Sequence, residues 1–256
     1  MNGFTIGGAV VAITFASGVV GLNLYRVLPA RHLSKETHDV IKLGTGMLSV
    51  LASLVLGLLI STAKTSYDST SAAVRAYAAD LTVLDEVLRD YGEDALPARR
   101  QVSAYAARLL SDVWTDRYGH PFMVENRAAG NILEGAFLAI HRLTPASGEQ
   151  QALLAHATSL AISLLRERRL LVEGTDTTIQ PIVIAILVLW LGCIFVSFGI
   201  NGPRHATMYG VFVILAIGIG SAMFVILELN SPFEGPMRIS AQPIRTALAH
   251  MVPPEP

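Results

Sequence analysis

Five residues spaced every fourth position, Thr45, Ser49, Ser53, Gly57 and Ser61, have the types and spacing that could do chemistry in this chain. They stand in LGTGMLSVLASLVLGLLISTA, Leu43 to Ala63, a stretch without a charged residue. On a helix this spacing makes one ridge. Hydroxyls along such a ridge can line a water-filled path through a membrane and stand in for hydration. The same small side chains can instead let a neighbouring helix approach closely. The residues alone leave both readings open. A second surface of the same helix, Met47, Leu51, Val55 and Leu58, offers either an apolar constriction that gates by dewetting or plain contact with lipid and core.

Other chemistries lack their residues. No two of the seven histidines stand four apart, and the single cysteine, Cys193, lies in an apolar run. No metal site, no cofactor and no intrachain disulfide is therefore expected. His32 with Glu36 is either a pH-sensing pair at the headgroup layer or a solvated loop histidine. GxSxG, P-loop and HExxH patterns are all absent, and no enzyme is expected. A net charge of −1 without a basic cluster argues against nucleic acid. No ionisable residue occupies the middle of any apolar stretch, which argues against a proton-driven carrier or a voltage sensor.

The elements that must position these residues follow from composition. Apolar residues make up 52% of the chain and charged residues 15%, against about 25% charged in soluble domains. The deficit is concentrated in four segments, about 4–23, 43–63, 179–200 and 207–229, each long enough to cross a bilayer's hydrocarbon core. The first has no basic residue ahead of it and is read as a retained helix rather than a signal peptide. Between the second and third segments, Lys64 to Thr178 carries 12 Lys/Arg and 15 Asp/Glu with short turns and no strand pattern.

The fold expected is all-α: a polytopic membrane protein with four transmembrane helices and an antiparallel helical domain inserted between helices 2 and 3. Its parts are a first hairpin over 1–63, an extramembrane bundle over 64–178, a second hairpin over 179–229 and an irregular tail over 230–256. No proline or glycine interrupts the chain between Gly57 and Gly92. Past the membrane a heptad seam appears, Tyr67, Val74, Leu81, Leu88 with Thr70, Tyr77, Leu84, Tyr91. One continuous rod from 43 to 91 is expected.

Gly92 should cap that rod and Asp94 the next helix, with Pro97 in its first turn. Gly119-His120-Pro121 should turn, Ser147 and Gln150 should form a capping box, and Thr178 should cap the third span. In the fourth span Gly210, Gly218 and Gly220 are expected at close helix contacts. Asn230, Pro232, Phe233 and Gly235 in the tail read as a helix stop with an ordered cap; Glu228 and Glu234 beside it could attract cations. The basic residues flanking the spans divide seven against five between the two sides of the membrane, so charge does not choose the orientation.

Three stretches carry a resemblance: Leu43 to Gly46 (LGTG), Leu54 to Ser69 (LVLGLLISTAKTSYDS) and Glu228 to Ser240 (ELNSPFEGPMRIS). With the four-span layout they resemble the bestrophin-like family of bacterial membrane proteins, defined by a domain of unknown function and distantly similar to bestrophin channels. The resemblance covers nearly the whole chain. It implies a bacterial inner-membrane protein that assembles with copies of itself, as a pentamer in bestrophins, around a pore lined by the second span. Lipid and small ions would be its other partners. Bestrophins have a neck of bulky apolar residues; here no aromatic residue lies between Leu43 and Ser66. The reading from a different class is a non-conducting membrane scaffold or sensor whose helical domain binds a partner.

Overall fold

Without a proline or glycine after Pro29 until Gly44, the charged segment ahead of the second apolar stretch is free to continue its helix. It does: α2 runs uninterrupted from Lys35 to Tyr91, 57 residues or about 86 Å. The computed structural model describes residues 3–24, 35–114, 127–173, 179–203 and 205–251. The other helices are α1 (Gly3–Leu24), α3 (Leu96–Trp114), α4 (Arg127–His141), α5 (Gly148–Glu173), α6 (Pro181–Asn201), α7 (Ala206–Leu229) and α8 (Gln242–Met251). Among the described residues there is no strand. The chain is all-α, and α1, α2, α6 and α7 are long and apolar enough to cross a membrane.

The chain divides into two units, Met1–Ser66 with Thr177–Asn230, and Tyr67–Asp176 with Ser231–Pro256. In the first, α1 packs along both α6 and α7. Glycine brings these backbones together: a Cβ on Gly199 would sit 2.6 Å from the Leu22 nitrogen and 2.7 Å from the Gly21 Cα. Gly7 and Gly220 meet in the same manner across α1 and α7. Gly210 and Gly218 do not join them, since nothing lies within 4 Å of a Cβ built at either. Two residues separate Gly218 from Gly220, a rotation of about 200°, so one neighbour cannot receive both. Phe195 and Phe212, 5.9 Å apart, join α6 to α7 with Leu22 and Ala216.

In the second unit the heptad seam of α2 is the core. Val74, Tyr77, Leu81, Leu84, Leu88 and Tyr91 are buried against Val102, Tyr105 and Leu109 of α3, Leu133 and Ile140 of α4, and Leu164 of α5. The Tyr77 and Tyr105 hydroxyls lie 2.7 Å apart, and burial pushes both up from the ordinary tyrosine range, Tyr77 well above it, so both stay neutral. Asp85, 3% exposed, accepts two bonds of 2.9 Å from Arg99, joining α2 to α3. That bond is the largest cause of Arg99's raised pKa.

Gly92 ends α2 at φ 116°, as its missing Cβ allows. A 3-10 turn, Glu93–Ala95, follows, and α3 opens at Leu96. Asp94 lies inside that turn, which Gly92 precedes as N-cap, and so does not cap α3, which opens two residues later. Ser147 Oγ accepts the Gln150 N–H at 3.1 Å, while the Gln150 side chain reaches back to the Ala146 N–H. Gln180 stands at the N-cap of α6, with Pro181 next. Residues 119–121 and Thr178 lie outside the described residues.

The segment after α7 joins the second core. Phe233 packs edge-on against Trp114 at 6.2 Å, and Trp114 Nε1 donates to the Ile239 carbonyl at 2.9 Å. Ile244, Ala247 and Met251 bury one side of α8.

Candidate functional site

The apolar half of α2 is set apart by how little of it the chain covers. Only 11% of that stretch is buried, against 33% in α1 and α6 and 28% in α7. Its covered seam is narrow: Ala52, Leu59 and Ala63 are buried, and Thr45 is half-buried. The rest of its circumference is free for lipid or for another chain.

Along that circumference the five ridge residues part company. Thr45 turns inward, with Oγ1 2.6 Å from Ser197 Oγ of α6. Ser49 is half-buried and donates to the Thr45 carbonyl at 2.8 Å; Ser53 is exposed and donates to the Ser49 carbonyl at 2.8 Å. Gly57 and Ser61 are exposed, and a Cβ on Gly57 would touch nothing. The divergence is geometric. Each four-residue step advances the helix by about 40° beyond a full turn, so Thr45 and Ser61 point about 160° apart. Packing claims the Thr45 end, while Ser53 and Gly57, with Gly46 nearby, form a small-residue arc on the outer surface.

Beside that arc lies a bulky one. Met47, Leu51 and Leu58 are 73%, 50% and 67% exposed, while Val55 is half-buried at its edge. Small polar groups and large apolar ones thus occupy adjacent outer sectors of one helix.

The tail residues are placed by backbone. The Asn230 N–H bonds the Ile226 carbonyl at 3.0 Å and closes α7. The Pro232 carbonyl accepts the Ile239 N–H at 2.7 Å, and Gly235 turns at φ 70°. Phe233 is buried, so the motif's one large side chain serves the second core. Glu228 is 6% exposed at the end of α7, where a Cβ on Gly3 would come within 2.8 Å of its Oε1. Glu234 is half-buried in the following turn. Among the described residues, no three of His, Cys, Asp and Glu gather as metal ligands.

One set of side chains escaped the sequence reading. His38 Nδ1 meets Asn201 Oδ1 at 2.5 Å, and Asn201 Nδ2 donates to the Ser197 carbonyl at 2.8 Å. With the Thr45–Ser197 pair this makes a polar run between α2 and α6. The available signal was Ser197 and Asn201, four apart and polar in an otherwise apolar helix.

The sequence model of the Bestrophin-like domain matches residues 12–244. A bacterial bestrophin homologue from Klebsiella pneumoniae, solved as a mutant, superposes with a TM-score of 0.68 at 16% identity, covering 96% of each chain. Another mutant of a bacterial bestrophin homologue from that organism gives 0.65 at 15%, over 96% of this chain and 97% of its own. A third structure, of a membrane protein, gives 0.65 at 14% with the same coverage. At such identities the likeness carries the fold alone. No curated protein sequence matches the chain.

Proposed function

Because the chain belongs to the bestrophin-like family, we propose that it is an integral membrane protein of the bacterial inner membrane that assembles with copies of itself into an ion-conducting pore. In this reading α1, α2, α6 and α7 are the four spans, and residues 67–176 form the extramembrane bundle inserted between the second and third. The apolar half of α2 stands nearest the axis. A pentamer is the assembly the resemblance implies.

The observation that carries this is the exposure of α2. Of the four apolar helices it is the least covered within its own chain, 11% against 28% or more. An outer arc of Gly46, Ser53 and Gly57 is suited to a wet, narrow path, since small and hydroxylic groups leave room for ions and replace part of their hydration. Met47, Leu51 and Leu58 on the adjoining arc are suited to the contact between neighbouring copies or to a dewetting constriction. No ionisable side chain is needed at mid-membrane for this mechanism, in contrast to a proton-coupled carrier.

Recording from purified protein in planar bilayers tests the proposal. Conductance should appear, and Ser53→Leu, which adds a bulky apolar group to the small arc, should reduce the unitary current severalfold while the assembly keeps its size. Silence across several monovalent and divalent gradients would refute the pore and leave the scaffold or sensor reading. Electron micrographs of the assembly must also show a ring with a central axis.

A further inference from the structure

The polar run between α2 and α6 lies in the first unit, in a place where apolar packing alone would have sufficed. Its members are His38 and Thr45 on α2 and Ser197 and Asn201 on α6. Their spacings match helix geometry, since residues seven apart return to nearly one face after two turns and residues four apart after one. Asn201 Nδ2 can only donate, and it does so to the Ser197 carbonyl at 2.8 Å, with Ser197 Oγ 3.5 Å away. Asn201 Oδ1 therefore accepts, and His38 Nδ1 must carry the proton between them. The Ser197 hydroxyl, 8% exposed, closes the run against Thr45.

The remainder of α2's covered seam cannot hold the helix in rotation. Ala52, Leu59 and Ala63 are buried apolar side chains, and lipid tails could replace the contacts of such groups, because hydrocarbon is as apolar as leucine. Hydrogen bonds have direction, and turning α2 would pull Thr45 from Ser197 and His38 from Asn201, whose carboxamide oxygen would lose its partner on α2. A rotation of about 100°, one residue's worth, would carry the small arc to where the bulky arc now stands.

We propose that His38, Asn201, Ser197 and Thr45 form a clasp that sets the rotation of α2 and so selects which arc faces the conducting path. The rotation itself stands on the hydrogen bonds; only what the arcs line rests on the pore reading. These four are positioning residues, and the clasp accounts for Thr45 leaving the outer ridge.

The full chain in liposomes provides the test. In a Cys193→Ser background, single cysteines at Met47, Val50, Ser53, Leu54 and Gly57 are spin-labelled in turn. Collisions with oxygen report lipid exposure, and collisions with a soluble nickel chelate report water. In the parent, both should vary around α2 with a helical phase. Ser197→Ala with Asn201→Leu should move that phase by about one residue, with severalfold changes at Ser53 and Leu54. Ser197→Thr, which keeps the hydroxyl, should restore the parent phase. An unchanged oxygen phase in a doubly substituted protein of parental size would overturn the clasp. If that protein fails to assemble, Thr45→Val removes a single link, and an unchanged phase there overturns it equally. A parent in which no position meets the nickel chelate would defeat the pore reading instead, while the oxygen phase still reports the rotation.

Discussion

Gly199→Ala adds one methyl group where α6 crosses α1, and its cost can be worked from the structure. The new Cβ would lie 2.6 Å from the Leu22 nitrogen and 2.7 Å from the Gly21 Cα, and closer still to the Gly18 carbonyl. All three are backbone atoms, so no side chain can swing aside. Ordinary Cβ contact begins at 3.4 Å, so the two helices must part by roughly 1 Å. A gap of that size forfeits about a quarter to a half of the dispersion attraction of each atom pair along the contact. In lipid there is no hydrophobic force between helices to offset the loss. The expected destabilisation is about 3 kcal/mol, the upper part of the range for overpacking. At about 2–4 °C per kcal/mol for a chain of this size, the apparent melting midpoint in detergent should fall by about 6–12 °C. Midpoints compared at one scan rate and detergent concentration keep irreversible unfolding from confounding the comparison. Gly218→Ala is the control, since its methyl meets open space and should leave the midpoint where it is or raise it. If Gly199→Ala melts together with the parent, the backbone contact between α1 and α6 is wrong.

Two further expectations concern the second unit. Asp85→Ala strands a partly buried guanidinium that now donates two 2.9 Å bonds, and should cost about 3 kcal/mol, while Asp85→Leu with Arg99→Met should recover most of it. Equal losses in the thermal midpoints of the single and double variants would refute that account. Burial, and then the neighbouring Asp80, raise the Glu167 carboxyl above the ordinary 4.5. Its contribution to stability is therefore full below that value and is lost as pH rises through the raised one. Glu167→Gln should raise the midpoint at pH 7 to 8 and change it little near pH 4; a difference that does not vary with pH would contradict the burial of this group.

How much of this was legible in advance depended on which solvent each segment faces. The seam Val74, Tyr77, Leu81, Leu84, Leu88, Tyr91 could be read because burial from water imposes a period that polar residues must respect. Gly92 and Gly235 announce left-handed turns, and Ser147 with Gln150 announces a helix start, because these roles admit few residue types. Asp94 misled, since a carboxylate ahead of a proline looks like a cap whether or not a 3-10 turn takes up the chain first. α2 starts at Lys35, ahead of the expected 43, because charge alone does not end a helix and Glu36 to Lys42 contains no residue that breaks one. Within the apolar helices the pattern is silent about direction. Gly199 and Gly220 are contacts and Gly210 and Gly218 are not, yet all four sit in similar surroundings in the sequence.

The same silence explains why α2 needs a clasp at all. In the proposed extramembrane bundle, water would expel Val74, Leu81 and Leu88, so a wrong rotation of the helix there would expose apolar surface and bury Arg75 or Glu86. In its apolar half a wrong rotation exposes leucine to lipid and buries leucine against protein, which costs almost nothing by transfer. What remains to choose the face is contact shape and directional bonding. The seam there is lined by Ala52, Leu59 and Ala63, with little relief to interlock. Directional bonding is then the stronger constraint, and one of its groups, Thr45, belongs to the ridge that the sequence offered either to a pore or to a helix contact. Thr45 belongs to the helix contact and Ser53 to the outer arc because a four-residue ridge winds around its helix, so a hydroxyl's role in such a span follows from its azimuth more than from its place in the series.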